Sequence, residues 1–132
     1  MRHVDTNGFL HSHSINYLTG SKQQEVTRVD TVDYNNYWMV DDPTKSILMQ
    51  RPVDGTPLMS QRKPIKKGDK VWLLHCASAT LSKKNLLYYL HSHNLDPPQA
   101  IQDAREVSCY ERRDDNSHWK VSWEGDDEFW TW

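Results

Sequence analysis

The chain has 132 residues, the length of a single domain with a modest hydrophobic core. Its 16 basic and 18 acidic side chains give a formal net charge of −2, which argues against nucleic acid as a partner. Hydrophobic residues make up 36%, and no apolar run approaches the roughly 20 residues that a membrane helix needs. No apolar stretch follows the first residues either. We therefore expect that a targeting sequence was removed or that the chain was cut from a longer parent.

In chain order, the first half predicts three short strands, at residues 8–13, 24–29 and 37–40, where side chains alternate or β-branched and aromatic residues cluster. The second half predicts four, at residues 70–75, 88–93, 105–110 and 118–123, with a turn at Gly68 and Asp69 just before them. Helical patterning is scarce, since residues 82–89 allow a helical turn but continue better into a strand. Strands spaced about ten residues apart predict an all-β barrel or sandwich.

An internal repeat is the most informative feature of the sequence. Three segments recur at offsets of 80 or 81 residues: Leu10–His13 as Leu90–His93, Glu25–Thr27 as Glu106–Ser108, and Asp33–Val40 as Asp114–Val121. Chance would hardly supply three matches in the same order. The chain is therefore predicted to contain two copies of one unit, which must pack on each other because neither can bury its apolar face alone.

The repeat divides the single domain, residues 1–132, into four parts. Repeat one is expected at 1–40 and repeat two at 65–123, joined by a long loop at 41–64 that carries four prolines and followed by a tail at 124–132. The short basic cluster at 62–67 is interpreted as a solvated loop. Gln23 and Gln24 precede a strand, and their amides either pair with the neighbouring repeat or face a ligand groove.

Paired histidines are the first candidate site, at His11 and His13 and again at His91 and His93. In a strand, residues two apart point to the same side, so the two imidazoles of each pair lie together. Neither motif contains a cysteine or carboxylate to complete a metal site, so no metal and no cofactor is predicted. A hydrogen-bonded structural role is the favoured interpretation, and ligand or proton-linked binding is the second.

Repeated acidic and amide residues form the second candidate site. Asp and Asn close turns with their own side chains, and that is the favoured interpretation. The same oxygens would also accept from sugar hydroxyls, with an aromatic side chain packing against the ring. The aromatic candidates are Tyr37 or Trp38 in the first copy and His118 or Trp119 in the second, and the polar candidates are Asp33, Asn35, Asn36, Asp114 and Asn116.

No catalytic constellation is apparent in the sequence. The acidic runs at 41–42, 114–115 and 126–128 lie in polar segments and are interpreted as solvated. Cys76 and Cys109 fit no zinc spacing, and a single disulfide and two free thiols are both compatible with the sequence. We therefore expect a binding module rather than an enzyme, without excluding that it is an accessory part of one.

Four segments resemble the MIR domain family, found in protein mannosyltransferases, inositol trisphosphate receptors and ryanodine receptors. They are Leu-His-Ser-His at 10–13, Gly-Ser-Lys-Gln-Gln-Glu-Val-Thr at 20–27, Asp-x-Asn-Asn-x-Trp at 33–38, and Ile-Lys-Lys-Gly-Asp-Lys-Val-Trp-Leu at 65–73. The resemblance implies a β-trefoil, an all-β fold of three four-stranded repeats. Two repeats are visible here, and the third is missing or divergent.

Within the family, residues 2–13 and 106–110 look like the luminal domain of protein O-mannosyltransferases, whereas residues 27–33 lean toward soluble stromal-cell-derived-factor-two-like proteins. The first likeness implies a non-catalytic domain in the endoplasmic reticulum lumen. It would hold secretory polypeptide or a mannosyl glycan for a membrane-embedded parent enzyme that uses dolichyl-phosphate-mannose. The alternatives are a free-standing chaperone cofactor of the same compartment and a ligand-regulatory domain of an inositol trisphosphate receptor type channel.

Overall fold

The computed structural model describes residues 1–41, 64–81, 86–97 and 103–125. Seven strands are present there: β1 Phe9–Asn16, β2 Gln24–Val29, β3 Trp38–Asp41, β4 Lys70–His75, β5 Tyr89–Ser92, β6 Val107–Tyr110 and β7 Trp119–Lys120. The all-β prediction is confirmed. Three predicted segments lie wholly or partly outside the described residues. They are residues 42–63 of the predicted loop, residues 126–132 of the tail, and residues 62–63 of the basic cluster.

The strands form one antiparallel sheet in the order β1-β2-β6-β5-β4-β3, with β7 paired to β4. Two of these pairings join the repeats. Strand β2 pairs with β6 through Gln24 and Cys109, and strand β3 pairs with β4 from Trp38 opposite His75 to Asp41 opposite Trp72. The two copies are therefore interleaved and do not form separate units.

The core combines apolar and polar side chains. The buried hydrophobic residues among those described are Val71, Leu73, Leu74, Ala77, Tyr89, Leu90 and Cys109. The buried polar residues are more numerous: His11, Ser12, Gln24, Asn36, Asp41, His75, Ser78, His91, Glu106, Ser108 and Ser117. Because a buried polar group is costly unless it is hydrogen-bonded, this interior depends on its polar contacts as well as on apolar burial.

One short α-helix, α1 (Cys76–Leu81), was not predicted. It follows β4 directly and is six residues long, too short to show an apolar stripe of helical period. The buried ring of His75 starts it, because its Nδ1 accepts from the Ser78 backbone N–H at 3.4 Å and lies 2.7 Å from the Ser78 hydroxyl. A histidine in this capping role is not among the usual helix-start signals. Within the described ranges no helix is long and apolar enough to cross a membrane.

The interpretation of Asp41 as a solvated residue is wrong. Asp41 is the last residue of β3 and is fully buried. The Arg113 guanidinium lies 3.9 Å from its carboxylate and covers the Trp72 and Tyr89 rings at 4.6 and 5.6 Å. A buried carboxylate needs such a counter-charge. Because Arg113 is 72 residues away in the sequence, the residues next to Asp41 did not indicate that Asp41 is buried and paired.

Both cysteines are free thiols. Cys109 is buried, and burial raises its pKa to about 12. Burial also raises the pKa of the Cys76 thiol. A thiol that stays protonated is a poor nucleophile, so neither cysteine has the environment of a reactive residue.

Candidate functional site: two imidazole chains and their turns

Two equivalent turns position the candidate aspartates. Asp33 precedes a 3-10 helix at Tyr34–Asn36, and its carboxylate accepts from the Asn35 N–H at 2.8 Å. Asp114 precedes the matching helix at Asp115–Ser117 and accepts from the Asn116 N–H at 2.9 Å. Both aspartates have φ −141° and ψ −174°. The two copies of the motif thus build the same turn, with the aspartate closing it as predicted for this residue type.

The residue that ends each turn faces the interior. Asn36 is buried; its side-chain oxygen accepts from the Asp33 N–H at 2.5 Å, and its amide nitrogen lies 3.3 Å from His11 Nδ1. Ser117 takes the equivalent place, with its hydroxyl 3.2 Å from His91 Nδ1. These two side chains connect each turn to a histidine pair.

Each histidine pair is hydrogen-bonded within itself and to a glutamate from elsewhere in the chain, which is Glu25 on β2 or Glu106 just before β6. His11 Nε2 lies 2.8 Å from His13 Nδ1, and His13 Nε2 lies 3.1 Å from Glu25 Oε1. We call Asn36, His11, His13 and Glu25 the first imidazole chain. The first pair therefore lies beside a carboxylate that its own motif does not contain.

The second imidazole chain consists of Ser117, His91, His93 and Glu106. His91 Nε2 lies 3.2 Å from His93 Nδ1, and His93 Nε2 lies 3.1 Å from Glu106 Oε1. The two glutamates were missed as site residues because they lie outside the histidine motifs, on β2 for Glu25 and just before β6 for Glu106. A usable signal did exist, since they recur at nearly the same offset as the histidines.

In the first chain, the order of the atoms sets one direction for the hydrogen bonds. Asn36 can only donate to His11 through its amide nitrogen, so His11 carries its proton on Nε2 and donates to His13, which then donates to Glu25. Asp33 lies 3.6 Å from His11 Nδ1, and Asp114 lies 3.4 Å from His91 Nδ1. The groups lie in series and do not converge on a point. Within the described ranges, no three His, Cys, Asp or Glu side chains are arranged to hold a metal ion.

The two imidazole chains differ in exposure. Glu106 has a side chain that is 0% exposed, against 25% for Glu25, and His93 is 16% exposed against 33% for His13. Glu106 is covered by the first-repeat loop, because Ser21 donates to it through both its backbone N–H, at 3.2 Å, and its hydroxyl. The second chain is thus sealed by repeat one, whereas the first is partly open to solvent.

Burial lowers the pKa of two histidines near the turns. For His91 the nearby carboxylate of Asp114 opposes the effect of burial without cancelling it. For His75 the opposing group is the Asn35 carbonyl, which lies 3.0 Å from His75 Nε2. Both imidazoles are consequently neutral at pH 7.

The two glutamines link the repeats. The Ser108 hydroxyl donates to Gln23 Oε1 at 2.5 Å. The buried Gln24 amide donates to the hydroxyls of Ser12 at 2.8 Å and Ser78 at 3.1 Å. Of the two alternatives raised by the sequence, the pairing with the neighbouring repeat is the one that the structure contains.

Among the candidate aromatic residues, Tyr37 alone is more than half exposed. The Trp38 indole donates to the Leu10 carbonyl at 3.0 Å, and the Trp119 indole donates to the Leu90 carbonyl at 2.9 Å. His118 stacks on Trp72 with ring centroids 5.5 Å apart. The structure adds Tyr34, also more than half exposed, whose ring lies 6.1 Å from that of Tyr37.

Known proteins share this fold and much of this sequence. No family model matches the chain. The chain is 38% identical over 112 residues to dolichyl-phosphate-mannose–protein mannosyltransferase 1 of Candida albicans, an alignment that covers 83% of the chain and 11% of that protein. Two solved structures also match, each at 32% identity. The SDF2-like protein of Arabidopsis thaliana has a TM-score of 0.69, covering 98% of this chain and 62% of that one. The S. cerevisiae protein O-mannosyltransferase Pmt1–Pmt2 complex bound to the sugar donor has a TM-score of 0.68, covering 92% and 15%.

The chain is therefore homologous to a segment of protein O-mannosyltransferases and to SDF2-like proteins. It spans only about a tenth of the mannosyltransferase that it matches and less than two thirds of the SDF2-like protein.

Proposed function

We propose that this chain is a MIR-type domain, built on the β-trefoil plan, that binds polypeptide or mannosyl glycan in the endoplasmic reticulum lumen. The mannosyltransferase relatives support an accessory role beside a protein O-mannosyltransferase, in which the domain holds acceptor polypeptide or mannosylated product while the parent enzyme does the chemistry. The observation that carries the binding role is the exposed aromatic pair Tyr34 and Tyr37 on the turn that Asp33 closes.

This turn combines the groups that carbohydrate recognition requires. Two aromatic rings offer faces on which the C–H surface of a sugar packs, and the half-buried Asn35 amide and the exposed Asp33 carboxylate offer hydrogen bonds to hydroxyls. The Asn35 side chain makes no hydrogen bond to another described residue, so its amide is available to a ligand. Asn36, His11 and His91 are buried and serve as supports in this proposal.

Repeat two provides an internal comparison. The equivalents of Tyr34 and Tyr37 are Asp115 and His118, and the His118 ring is already stacked on Trp72. The second turn therefore has the same backbone and aspartate without the aromatic pair. We accordingly assign ligand binding to the first turn and a structural role to the second.

The experiment is a titration of the 15N-labelled domain with mannose, an O-mannosyl peptide and the unmodified Ser/Thr-rich peptide, followed by tryptophan fluorescence and amide shifts. Asn35→Ala and Tyr37→Ala should each weaken binding about tenfold or more, whereas the matched change Asn116→Ala should leave the affinity unchanged. Circular dichroism of each variant checks that the fold is kept. Equal effects of Asn35→Ala and Asn116→Ala, or no binding of any of the three ligands, would contradict the proposal.

A second candidate, a free-standing SDF2-like chaperone cofactor, is favoured by the extent of the match. The sequence match to the stromal cell-derived factor 2-like protein of Arabidopsis thaliana covers 98% of the chain, against 83% for the Candida mannosyltransferase. The sequence of the parent open reading frame discriminates between the two candidates. A mannosyltransferase carries many apolar segments of about 20 residues, and a soluble cofactor does not.

A further inference from the structure

The same histidine–glutamate contact occurs twice in the structure, once covered by another part of the chain and once partly exposed to solvent. We call His93 with Glu106 the covered corner and His13 with Glu25 the open corner. The Nε2 to Oε1 distance is 3.1 Å in both, and the backbone carbonyls of Glu25 and Glu106 accept from Ser12 and Ser92 in the same way. The two corners thus have the same chemistry and the same local frame.

The covered corner shows what such a corner binds. Ser21 donates to the Glu106 carboxylate through its backbone N–H and its hydroxyl. The preceding residue, Gly20, has φ +64°, and an added Cβ there would overlap Glu106 Oε2. The corner therefore takes a small residue followed by a hydroxyl residue, a combination of shape and hydrogen bonding that few other dipeptides can meet.

The open corner lies where another polypeptide can reach it. Its strand, β1, is at an edge of the sheet. The pairing runs from Ser12 opposite Val26 to Asn16 opposite Gln24, so residues 13–15 bulge opposite the single residue Glu25. Ile15 within the bulge and Leu18 just after the strand are both exposed. Two exposed apolar side chains therefore lie within five residues of His13 along the chain.

We propose that the His13–Glu25 corner is a binding site for a polypeptide segment with a small residue followed by serine or threonine, which donates its N–H and hydroxyl to Glu25 as Gly20 and Ser21 do to Glu106. The bound molecule is a polypeptide whose serine or threonine hydroxyl is unmodified, because that hydroxyl donates the hydrogen bond to Glu25. The site is separate from the aromatic pair of the first turn, and its existence does not depend on sugar binding there.

The test uses a peptide copied from the chain itself, acetyl-Leu-Thr-Gly-Ser-Lys-Gln-amide, which reproduces residues 18–23. Titrated into the 15N-labelled 132-residue protein, it should shift the amides of residues 12–16 and 24–26. The same peptide with the serine replaced by alanine, or with its serine mannosylated, should bind at least tenfold more weakly. These peptide controls need no change in the protein, so they are informative whatever the variants do.

On the protein side, Glu25→Gln should weaken the native peptide at least tenfold, because it removes the charge that strengthens both hydrogen bonds. Glu111→Gln, an exposed carboxylate elsewhere, should not affect it. Retained mannose binding by Glu25→Gln together with lost peptide binding would separate this site from the aromatic one. Equal binding of the serine and alanine peptides, or of native and Glu25→Gln protein, would overturn the proposal. So would self-association that Glu25→Gln abolishes while the peptide fails to bind, since the occupant would then be a second copy.

Discussion

Two tyrosine hydroxyls occupy opposite environments in this interior. The Tyr17 hydroxyl lies 3.0 Å from both the Val26 and Val107 carbonyls and accepts from the Val26 N–H at 3.1 Å. The Tyr89 hydroxyl is buried without a hydrogen-bond partner among the described residues. A buried hydroxyl that lacks a partner costs free energy, whereas one with several partners stabilises the fold.

We therefore expect Tyr17→Phe to lower the free energy of unfolding by about 1–3 kcal/mol, because it leaves backbone groups of two strands without a partner. Tyr89→Phe should leave it unchanged or raise it slightly. Urea unfolding followed by tryptophan fluorescence measures both. A larger loss for Tyr89→Phe than for Tyr17→Phe would contradict the hydrogen-bond assignment.

The two buried histidines predict how stability depends on pH. Because burial lowers the pKa of His75 and His91 below the ordinary value of 6.5, the unfolded chain binds their protons more readily than the folded one. Their contribution to stability is complete above the unfolded pKa and is lost as the pH falls from there through the lower folded pKa. Urea midpoints should therefore decrease from about pH 7.5 to about pH 5.

His91→Gln supplies the control for this prediction. It should lower the urea midpoint at pH 8, because the contacts with Ser117 and His93 are weakened, and it should make the midpoint less dependent on pH. A wild-type midpoint that stays constant between pH 5 and pH 8 would be inconsistent with buried neutral imidazoles.

At the scale of the element, each of the two turns is stabilised by the side chain of its aspartate. Asp33→Ala and Asp114→Ala should each lower the free energy of unfolding by about 0.5–2 kcal/mol, the usual loss for a capping side chain. Asn35→Ala and Asn116→Ala should change it little, because only their backbone N–H groups bond to the aspartates. The four urea midpoints give the comparison, and an asparagine loss as large as the aspartate loss would refute this division of roles.

The turns were predictable from the sequence because Asp and Asn act on their own backbone within three residues. The partners of the histidine pairs were not, because Glu25 and Glu106 reach them across the sheet and the motif itself gives no register. Helix α1 was missed for a similar reason, since a buried histidine starts it. Local hydrogen bonding can be inferred from residue type, whereas contacts across strands require the strand order.

At the scale of the molecule, the loop of repeat one holds repeat two. Gly20→Ala should be distinctly more destabilising than Gly68→Ala, although both glycines have positive φ, of +64° and +93°. Both changes pay the cost of that backbone conformation, roughly 1–2 kcal/mol. Only Gly20→Ala adds an overlap with Glu106, since no residue that the structure describes lies within 4 Å of a Cβ at Gly68. Equal urea midpoints for the two variants would mean that the loop does not press on Glu106.

The repeat also revealed in advance that the two copies must pack on each other. It did not reveal the strand order, because Gln24 pairs with Cys109 and Trp38 with His75 across long stretches of chain whose lengths carry no register. The buried ion pair of Asp41 and Arg113 was hidden for the same reason.

The Tyr17 hydroxyl joins residues that are 90 positions apart, and this distance affects how the protein emerges from the ribosome. At about 5–20 residues per second, strand β2 waits roughly 4–17 s before its partner β6 has been made, since Cys109 follows its partner Gln24 by 85 residues. Throughout that interval the growing chain presents an unpaired strand edge, a template on which another chain can aggregate. Because the repeats are interleaved, the sheet folds late and cooperatively, after β6 has been synthesised. A nascent chain of this kind is a natural client for chaperones that shield strand edges.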